Sequence, residues 1–438
     1  MSIDAIPIHT RAFRRRRFAN WFPLGLTYAT LYMGRYNFNV SKSAIGAVYH
    51  YDKTQMGIIA TAGFWTYALS VLINGPLADR LGGRRAILVG TFGACALNLV
   101  IGLMFLRGWD SKLIMGLSLL YAMNMYFQSF GALSVVKVNA SWFHVRERGM
   151  LGGVFGSMIS LGYWFAYGVC GYIVESLPLW CVFVIPSGVI LTMALVDLFL
   201  VRNRPSETGH ADFATGDEAE GEARQGKHAE EKVPFGAVVK KVLSHPVLRV
   251  LAVAEFCTGL VRQGLLLYFP EFLKEVHAIK NGSVLYQVAS IGITVGGIAG
   301  ALTCGWLSDR FFESRRTPVA FIFYVGQIAS LLVLGWSRAP WLAALMIPVC
   351  AMWIFGVHGM LSGTASMDFG GKKAAATAAG LLDGVQYVGA GLTGIGLGWL
   401  LDRYHWTMWT YSLVPFSLIG ALLMLTLWNA TPSRASAH

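Results

Sequence analysis

The chain has 438 residues, of which 55% are hydrophobic and only 13% charged. A soluble protein carries roughly 25% charged residues, so these proportions exclude a soluble globular enzyme and predict a polytopic membrane protein. The net charge of +12 could suggest a nucleic-acid partner, but its placement in the loops between apolar segments argues otherwise. The 14 Trp and 17 Tyr suit interfacial belts, and the 50 Gly suit close helix–helix contact.

Four arginines, Arg14 to Arg17, precede the first apolar run, which extends from about Trp21 to Val40. That run is too long for the core of a signal peptide and no small-residue cleavage site follows, so it reads as an uncleaved first span. It carries Arg35. A guanidinium in hydrocarbon costs at least ~2.5–3.5 kcal/mol and persists only facing protein or a wet cavity. Twelve apolar segments follow one another. In the first half they lie near 20–41, 56–78, 86–106, 112–139, 149–174 and 178–201. In the second half they lie near 247–273, 284–307, 317–336, 341–366, 374–400 and 408–428. Helices are expected throughout, because an unpaired backbone cannot face lipid. The expected organisation is a bundle over 1–201, a linker over 202–244 and a second bundle over 245–438. The Glu207–Glu231 part of the linker is rich in Ala, Gly and Glu and is expected to be mobile.

Most of the 35 basic residues fall on one side if both termini are cytoplasmic, with clusters at Arg84-Arg85, Arg315-Arg316 and Lys372-Lys373. Lys42, Lys53 and a few others fall on the opposite side. Arg35, Lys137 and Arg262 remain inside spans. The six cysteines all lie in apolar segments without metal-ligand spacing and read as small buried hydrophobes. No metal cluster, nucleotide loop or catalytic dyad is visible, so neither a cofactor nor enzymatic activity is expected.

An internal repeat is present. Gly75-Pro76-Leu77-Ala78-Asp79-Arg80-Leu81-Gly82-Gly83-Arg84-Arg85 recurs as Gly305-Trp306-Leu307-Ser308-Asp309-Arg310, 230 residues later. Arg35 and Arg262, 227 residues apart, fall on the same repeat. Two arginines at matching points of two halves predict a central site for an anion. Tyr32, Tyr36 and Asn39 flank Arg35 at helical spacing; Gln263 and Tyr268 stand near Arg262. All five are candidates to line that site, and packing or interfacial roles are equally open to them. Asp383, with Gln386 and Tyr387 on adjacent turns, is a candidate lining residue or arginine partner. Glu255, two turns before Arg262, and His358 read first as structural groups, with neutralisation of Arg262 or proton coupling as the alternative for Glu255. Lys137 is near enough to a span end to snorkel.

The loop Gly75–Arg85 and its second copy resemble the signature of the major facilitator superfamily, a fold of twelve transmembrane helices in two pseudo-symmetric six-helix bundles. The resemblance implies that Asp79, Arg80, Gly82, Arg84, Asp309 and Arg310 form hinges and charge clamps, not a substrate site. Three stretches resemble the organophosphate:phosphate antiporters within it: Tyr32-Met33-Gly34-Arg35-Tyr36-Asn37-Phe38, the segment from Leu260 through Val276, and Lys372–Gly380. This implies exchange of a small organophosphate for phosphate by alternating access across the cell (inner) membrane, by a monomer. Arg35 and Arg262 would grip the anion, with Lys137 at a further basic position. A guanidinium meets a phosphoryl face with two parallel hydrogen bonds. An empty site would leave two like charges facing each other, which disfavours closure around nothing. The chain departs from the family at Tyr36, Val71-Leu72, Ile159 and Thr294, where lysine, polar, histidine or carboxylate side chains are found in some members. The stretch Asp52–Gly57 with Phe64–Leu69 also resembles anion:cation symporters of the superfamily, and a sensor branch exists. A cation-coupled symporter and a phosphate-ester sensor are therefore the alternatives.

Overall fold

In hydrocarbon each backbone N–H and C=O must be satisfied within its own segment or a closed sheet, and this chain uses helices. The computed structural model describes residues 9–109, 113–216, 244, 246–365 and 375–429. Among these residues the regular elements are all helical. In the first half, α1 is Arg11–Tyr49, α2 is Lys53–Leu81 and α3 is Gly83–Leu106. The fourth pass, α4, comprises Leu113–Gln128 and, after a break at Ser129, Phe130–Ala140. The fifth, α5, runs through Arg148–Trp164, a π-turn at Phe165–Val169 and Cys170–Ser176; α6 is Cys181–Leu200. The second half repeats the pattern. Here α7 is Pro246–His277, α8 is Val284–Phe311, α9 is Arg316–Trp336, and α10 is Pro340–His358 continued by a π-turn over Gly359–Ala365. The last passes are α11, Ala375–Tyr404, and α12, where two 3-10 turns lead into Val414–Thr426.

Nine helices among the described residues are long and apolar enough, taken singly, to cross a membrane. The passes outside that set have local reasons. In α1 the apolar run is diluted by Arg35, Asn37, Asn39 and Lys42, α4 is split at Ser129, and α11 is diluted by glycines. Polar residues in a span are tolerated when they face protein, and these α1 residues are all buried.

The expected end of the first span near residue 41 is corrected. The helix runs on to Tyr49, so Lys42 is not a loop residue but a fully buried one. The linker expectation is corrected in part. Residues 205–208 form a 3-10 turn, the Val145 N–H donates to Thr215 O at 2.8 Å, and Phe213 packs edge-on to Phe13. One phenylalanine in an otherwise small and polar stretch gives that part of the linker something to bury. Residues 217–243 lie outside the described residues.

The two halves meet along α1, α2 and α5 on one side and α7, α8 and α11 on the other. Where α2 crosses α11 the backbones nearly touch: a Cβ on Gly394 would overlap Gly57 O and the Thr61 side chain, and one on Gly57 would overlap Gly394 O. Small residues let helices approach this closely. Thr61 Oγ1 donates to Gly391 O at 2.6 Å and Trp65 Nε1 to Val388 O at 3.2 Å along the same seam. The bonds between halves crowd toward the face opposite the chain termini, here called the far face. Lys42 pairs with Glu271 at 2.8 Å, Lys53 with Glu275 at 2.8 Å, and Thr54 Oγ1 donates to Asp402 Oδ2 at 2.5 Å. Toward the terminal face, Gly152, Gly153 and Gly156 of α5 have nothing within 4 Å of an added Cβ, and neither has Gly380 of α11. The described chain is thus sealed at the far face and looser at the terminal face.

Candidate functional site

Arg35 sits at the middle of α1, and its backbone is pinned before its side chain is placed. Asn124 Nδ2 donates to Gly34 O at 2.8 Å, Asn98 Nδ2 donates to the same oxygen at 3.2 Å, and Tyr121 Oη donates to Arg35 O at 2.9 Å. These bonds from α3 and α4 fix the α1 backbone at the arginine. The guanidinium carbon then lies 4.8 Å from each of the Tyr32 and Tyr67 ring centroids and 6.0 Å from that of Tyr28. Its hydrogen bond runs from Nη2 to Gln128 O at 3.3 Å, and Nε has no partner. Aromatic faces stabilise a cation by ~0.5–2 kcal/mol without neutralising it.

Arg262 sits at the corresponding place on α7, held by a different set. A Cβ on Gly259 would overlap Gln386 O, so α7 and α11 lie in contact one turn before the arginine. Arg262 Nη2 donates to Gln386 Oε1 at 2.6 Å, its Nε is without a partner, and its Cζ is 5.5 Å from the Tyr387 ring centroid. Gln386 Nε2 is 2.7 Å from His358 Nδ1, which is 3.5 Å from Glu255 Oε2.

The two guanidiniums are joined by rings. Tyr67, against Arg35, and Tyr387, against Arg262, have centroids 4.2 Å apart. The residue after each arginine also meets its counterpart: Gln263 Nε2 donates to Tyr36 Oη at 3.2 Å, across a separation of 227 residues in the chain. Asn39 Nδ2 reaches Leu266 O at 3.5 Å across the same separation. The repeat read in the sequence is therefore expressed as a pseudo-twofold contact at mid-membrane, with one arginine on each side. Among the described residues no carboxylate stands within ion-pair distance of either arginine, although Asp383 is near enough to both to interact electrostatically.

Several other expected residues are brought to this centre. Tyr32 lies on Arg35, Tyr36 stacks with Tyr163 at 5.7 Å, and Tyr387 lies between the arginines. Asn39 belongs to the seam beyond, where it donates to Tyr167 Oη at 3.0 Å. Tyr268 is placed elsewhere. Its Oη donates to Gly394 O at 2.8 Å, and the Lys42 ammonium lies 3.5 Å from its ring centroid, so it packs into the far-face seal. Lys137 is not brought to the arginines either. Its ammonium meets Asp79 at 2.5 Å at the terminal face, where Lys137 stands in the last turn of α4. In that loop Gly82 has φ of +80°, where glycine avoids strain. Arg84 Nη2 donates to Leu198 O at 2.6 Å, while Arg80 is exposed. Asp309 pairs with Arg316 at 3.0 Å, and Arg310 is exposed. Of the family-like stretch Lys372–Gly380, residues 372–374 lie outside the described residues. Thr294, at one point of departure, donates to Ser160 O at 2.7 Å and so joins the halves.

Sequence reasoning missed Tyr28, Tyr67, Tyr163 and the Lys42–Glu271 pair. A tyrosine in an apolar run carries no mark that separates a cation's cradle from ordinary packing. Lys42 and Glu271 did carry a signal: opposite charges at nearly repeat-related positions, each three residues beyond a candidate lining residue.

Together these groups make a buried centre with two fixed positive charges, hydroxyls and amides around them, and more than one uncommitted guanidinium N–H. Such a centre can take an anion with two or more oxygens.

Comparison with known proteins identifies the family. The family model described as Major Facilitator Superfamily matches residues 24–394. A glycerol-3-phosphate transporter of Bacillus subtilis (strain 168) is 26% identical, over 97% of this chain and 95% of its own length. The membrane sensor protein UhpC of Salmonella typhimurium is also 26% identical, over 93% of this chain and 91% of its own. A crystal structure of a bacterial homolog of the human lysosomal transporter Spinster superimposes with a TM-score of 0.71 at 15% identity, covering 96% of each chain. The chain belongs to the major facilitator superfamily, a family of multi-pass membrane transporters with no enzymatic chemistry of their own.

Proposed function

We propose that this major facilitator chain exchanges a small organophosphate for inorganic phosphate by alternating access, with Arg35 and Arg262 as the two jaws that hold the anion. The observation that carries the reading is a pair of buried guanidiniums, one per half, touching through the Tyr67–Tyr387 rings and, among the described residues, lacking a carboxylate in contact. A phosphoryl dianion fits that charge and offers each fork two oxygens. The similarity to a glycerol-3-phosphate transporter over nearly the whole length supports this class of cargo. Both jaws come from one polypeptide, so one chain is a complete transport unit. The terminal face, which collects most of the basic residues, is the cytoplasmic face of an inner membrane.

Each half carries one jaw, so an anion between them draws the halves together, while an empty centre leaves two positive charges opposed. Turnover therefore needs a passenger in both directions. The test is counterflow. Vesicles reconstituted with the protein and loaded with phosphate should accumulate labelled phosphate, and a phosphate ester outside should chase it out. Vesicles that exchange neither anion refute transport of this class. Binding of a phosphate ester without any exchange favours the sensor reading, which the similarity to a membrane sensor protein keeps in view.

A further inference from the structure

We propose that Glu255 and His358 form a proton-binding dyad linked through Gln386 to Arg262, so that loading the anion draws a proton onto the dyad. This rests on the functional reading above and adds a passenger to it.

Hydrogen-bond direction carries the argument. A guanidinium only donates, so the atom of Gln386 that meets Arg262 Nη2 at 2.6 Å is its carbonyl oxygen. The other end of that amide is therefore the NH2 group, and it donates to His358 Nδ1 at 2.7 Å. His358 Nδ1 is then an acceptor and carries no proton. Glu255 Oε2 stands 3.5 Å from that same nitrogen, and Oε1 has no hydrogen-bond partner. An ionised carboxylate 3.5 Å from a nitrogen lone pair already taken by the Gln386 amide is unfavourable in a buried place, whereas a protonated one brings no charge there. The arrangement thus holds one proton on Glu255 and a neutral imidazole beside it. Charged and titratable groups face the dyad from each neighbouring helix: Arg262 on α7, Asp383 on α11 and Tyr324 on α9. The Ser362 backbone, in the π-turn that begins directly after His358, faces Glu255 as well.

Anion binding changes this set at one atom. An anion that takes Arg262 Nη2 removes the anchor of the Gln386 carbonyl. The amide is then free to turn that oxygen to His358, and Nδ1 becomes a donor by taking the Glu255 proton, which the carboxylate replaces with one from the buffered solution. The imidazolium formed is balanced by the incoming negative charge, which also cancels the field of Arg262 that had opposed it. Linkage makes the effect reciprocal: the anion tightens proton binding and acid tightens anion binding. Gln386 acts as a positioning residue; neither it nor Glu255 needs to touch the cargo.

The experiment is titration calorimetry of the full chain in detergent with glycerol 3-phosphate and glucose 6-phosphate, in two buffers of different ionisation heat. At about pH 8 a phosphate monoester, with its second pKa of ~6, has almost no proton of its own to exchange. The expected result is proton uptake on binding, with Kd rising by up to about tenfold per pH unit on the alkaline side. His358→Gln should bind the ester with no uptake and a flat pH profile. Gln386→Leu, which keeps both titratable groups, should bind it with uptake reduced and the pH slope lowered. Wild-type binding without uptake overturns the dyad even if both variants fail to fold, and so does an unchanged uptake in His358→Gln. Failure of wild-type protein to bind either ester overturns instead the functional reading beneath it.

Discussion

Lys42 and the two central arginines are equally deep in the protein and carry the same sign of charge, yet their surroundings differ in one respect. Lys42 has a carboxylate at 2.8 Å, Glu271 of the opposite half, and both are shut away from solvent. Arg35 and Arg262 are met by rings, amides and a backbone carbonyl, with no carboxylate in contact among the described residues. A buried charge whose counter-ion is supplied by the other half is a latch. A buried charge with no carboxylate in contact among the described residues is available to a bound anion. The far-face seal and the centre are two uses of the same expensive group, separated by about two helical turns of α1.

The contrast is broken most severely at the latch. Lys42→Met alone strands Glu271 as an unpaired buried charge, which costs about 3–5 kcal/mol. Thermal unfolding in detergent should show the loss, and a cysteine probe beside Tyr268 should become reactive from the far face. The double variant Lys42→Met/Glu271→Met should recover most of it. If the single variant is as stable as wild type, the pair is no latch. Next in size are the jaws. Arg35→Lys and Arg262→Lys keep the charge and lose the fork, a change of about 2 kcal/mol or roughly 30-fold in phosphate counterflow. Near-normal exchange in either variant removes that residue from the site.

The cradle comes third. Tyr67→Leu removes one π-face from Arg35 and its stack with Tyr387, and counterflow should fall roughly fivefold, about 1 kcal/mol. Tyr67→Phe, which keeps the face, should cost little; equal losses in both would assign the role to the hydroxyl instead. The smallest effect belongs to Lys137→Ala. Its pair with Asp79 is a third exposed on the lysine side, and such pairs contribute ~0–1 kcal/mol. Affinity for phosphate should stay within about twofold of wild type. A tenfold loss would bring Lys137 back to the anion.

What the sequence disclosed follows from cost. Arg35 and Arg262 are legible because a guanidinium in an apolar run is rare enough to demand a reason, and the repeat offset pairs them without any structure. The twelve-pass fold is legible because apolar length and lipid leave the backbone one option. Lys42 was hidden by a boundary. Nothing in Val40-Ser41-Lys42-Ser43 announces that α1 continues to Tyr49, so the lysine reads as a loop charge. Lys137 was legible in part, because its place near a span end already allowed it to reach the terminal face, while Asp79 was not marked as its partner. Tyr67 and Tyr163 were silent because their role is decided by which cation they touch, and that is set by helix rotation, which a single sequence records only as an undifferentiated apolar stripe.

The charge left available on the two arginines also has an electrical meaning. A charge moved through the membrane field exchanges ~2.3 kcal/mol for every 100 mV. A carrier that reorients with its jaws bare drags two positive charges through whatever part of that field its centre crosses, whereas one that reorients around a dianion shows the field no net charge from the pair. Of the charges on the pair, membrane voltage accordingly acts on the empty turn and hardly at all on the loaded one, so a voltage dependence of the loaded turn reports the proton that enters with the anion.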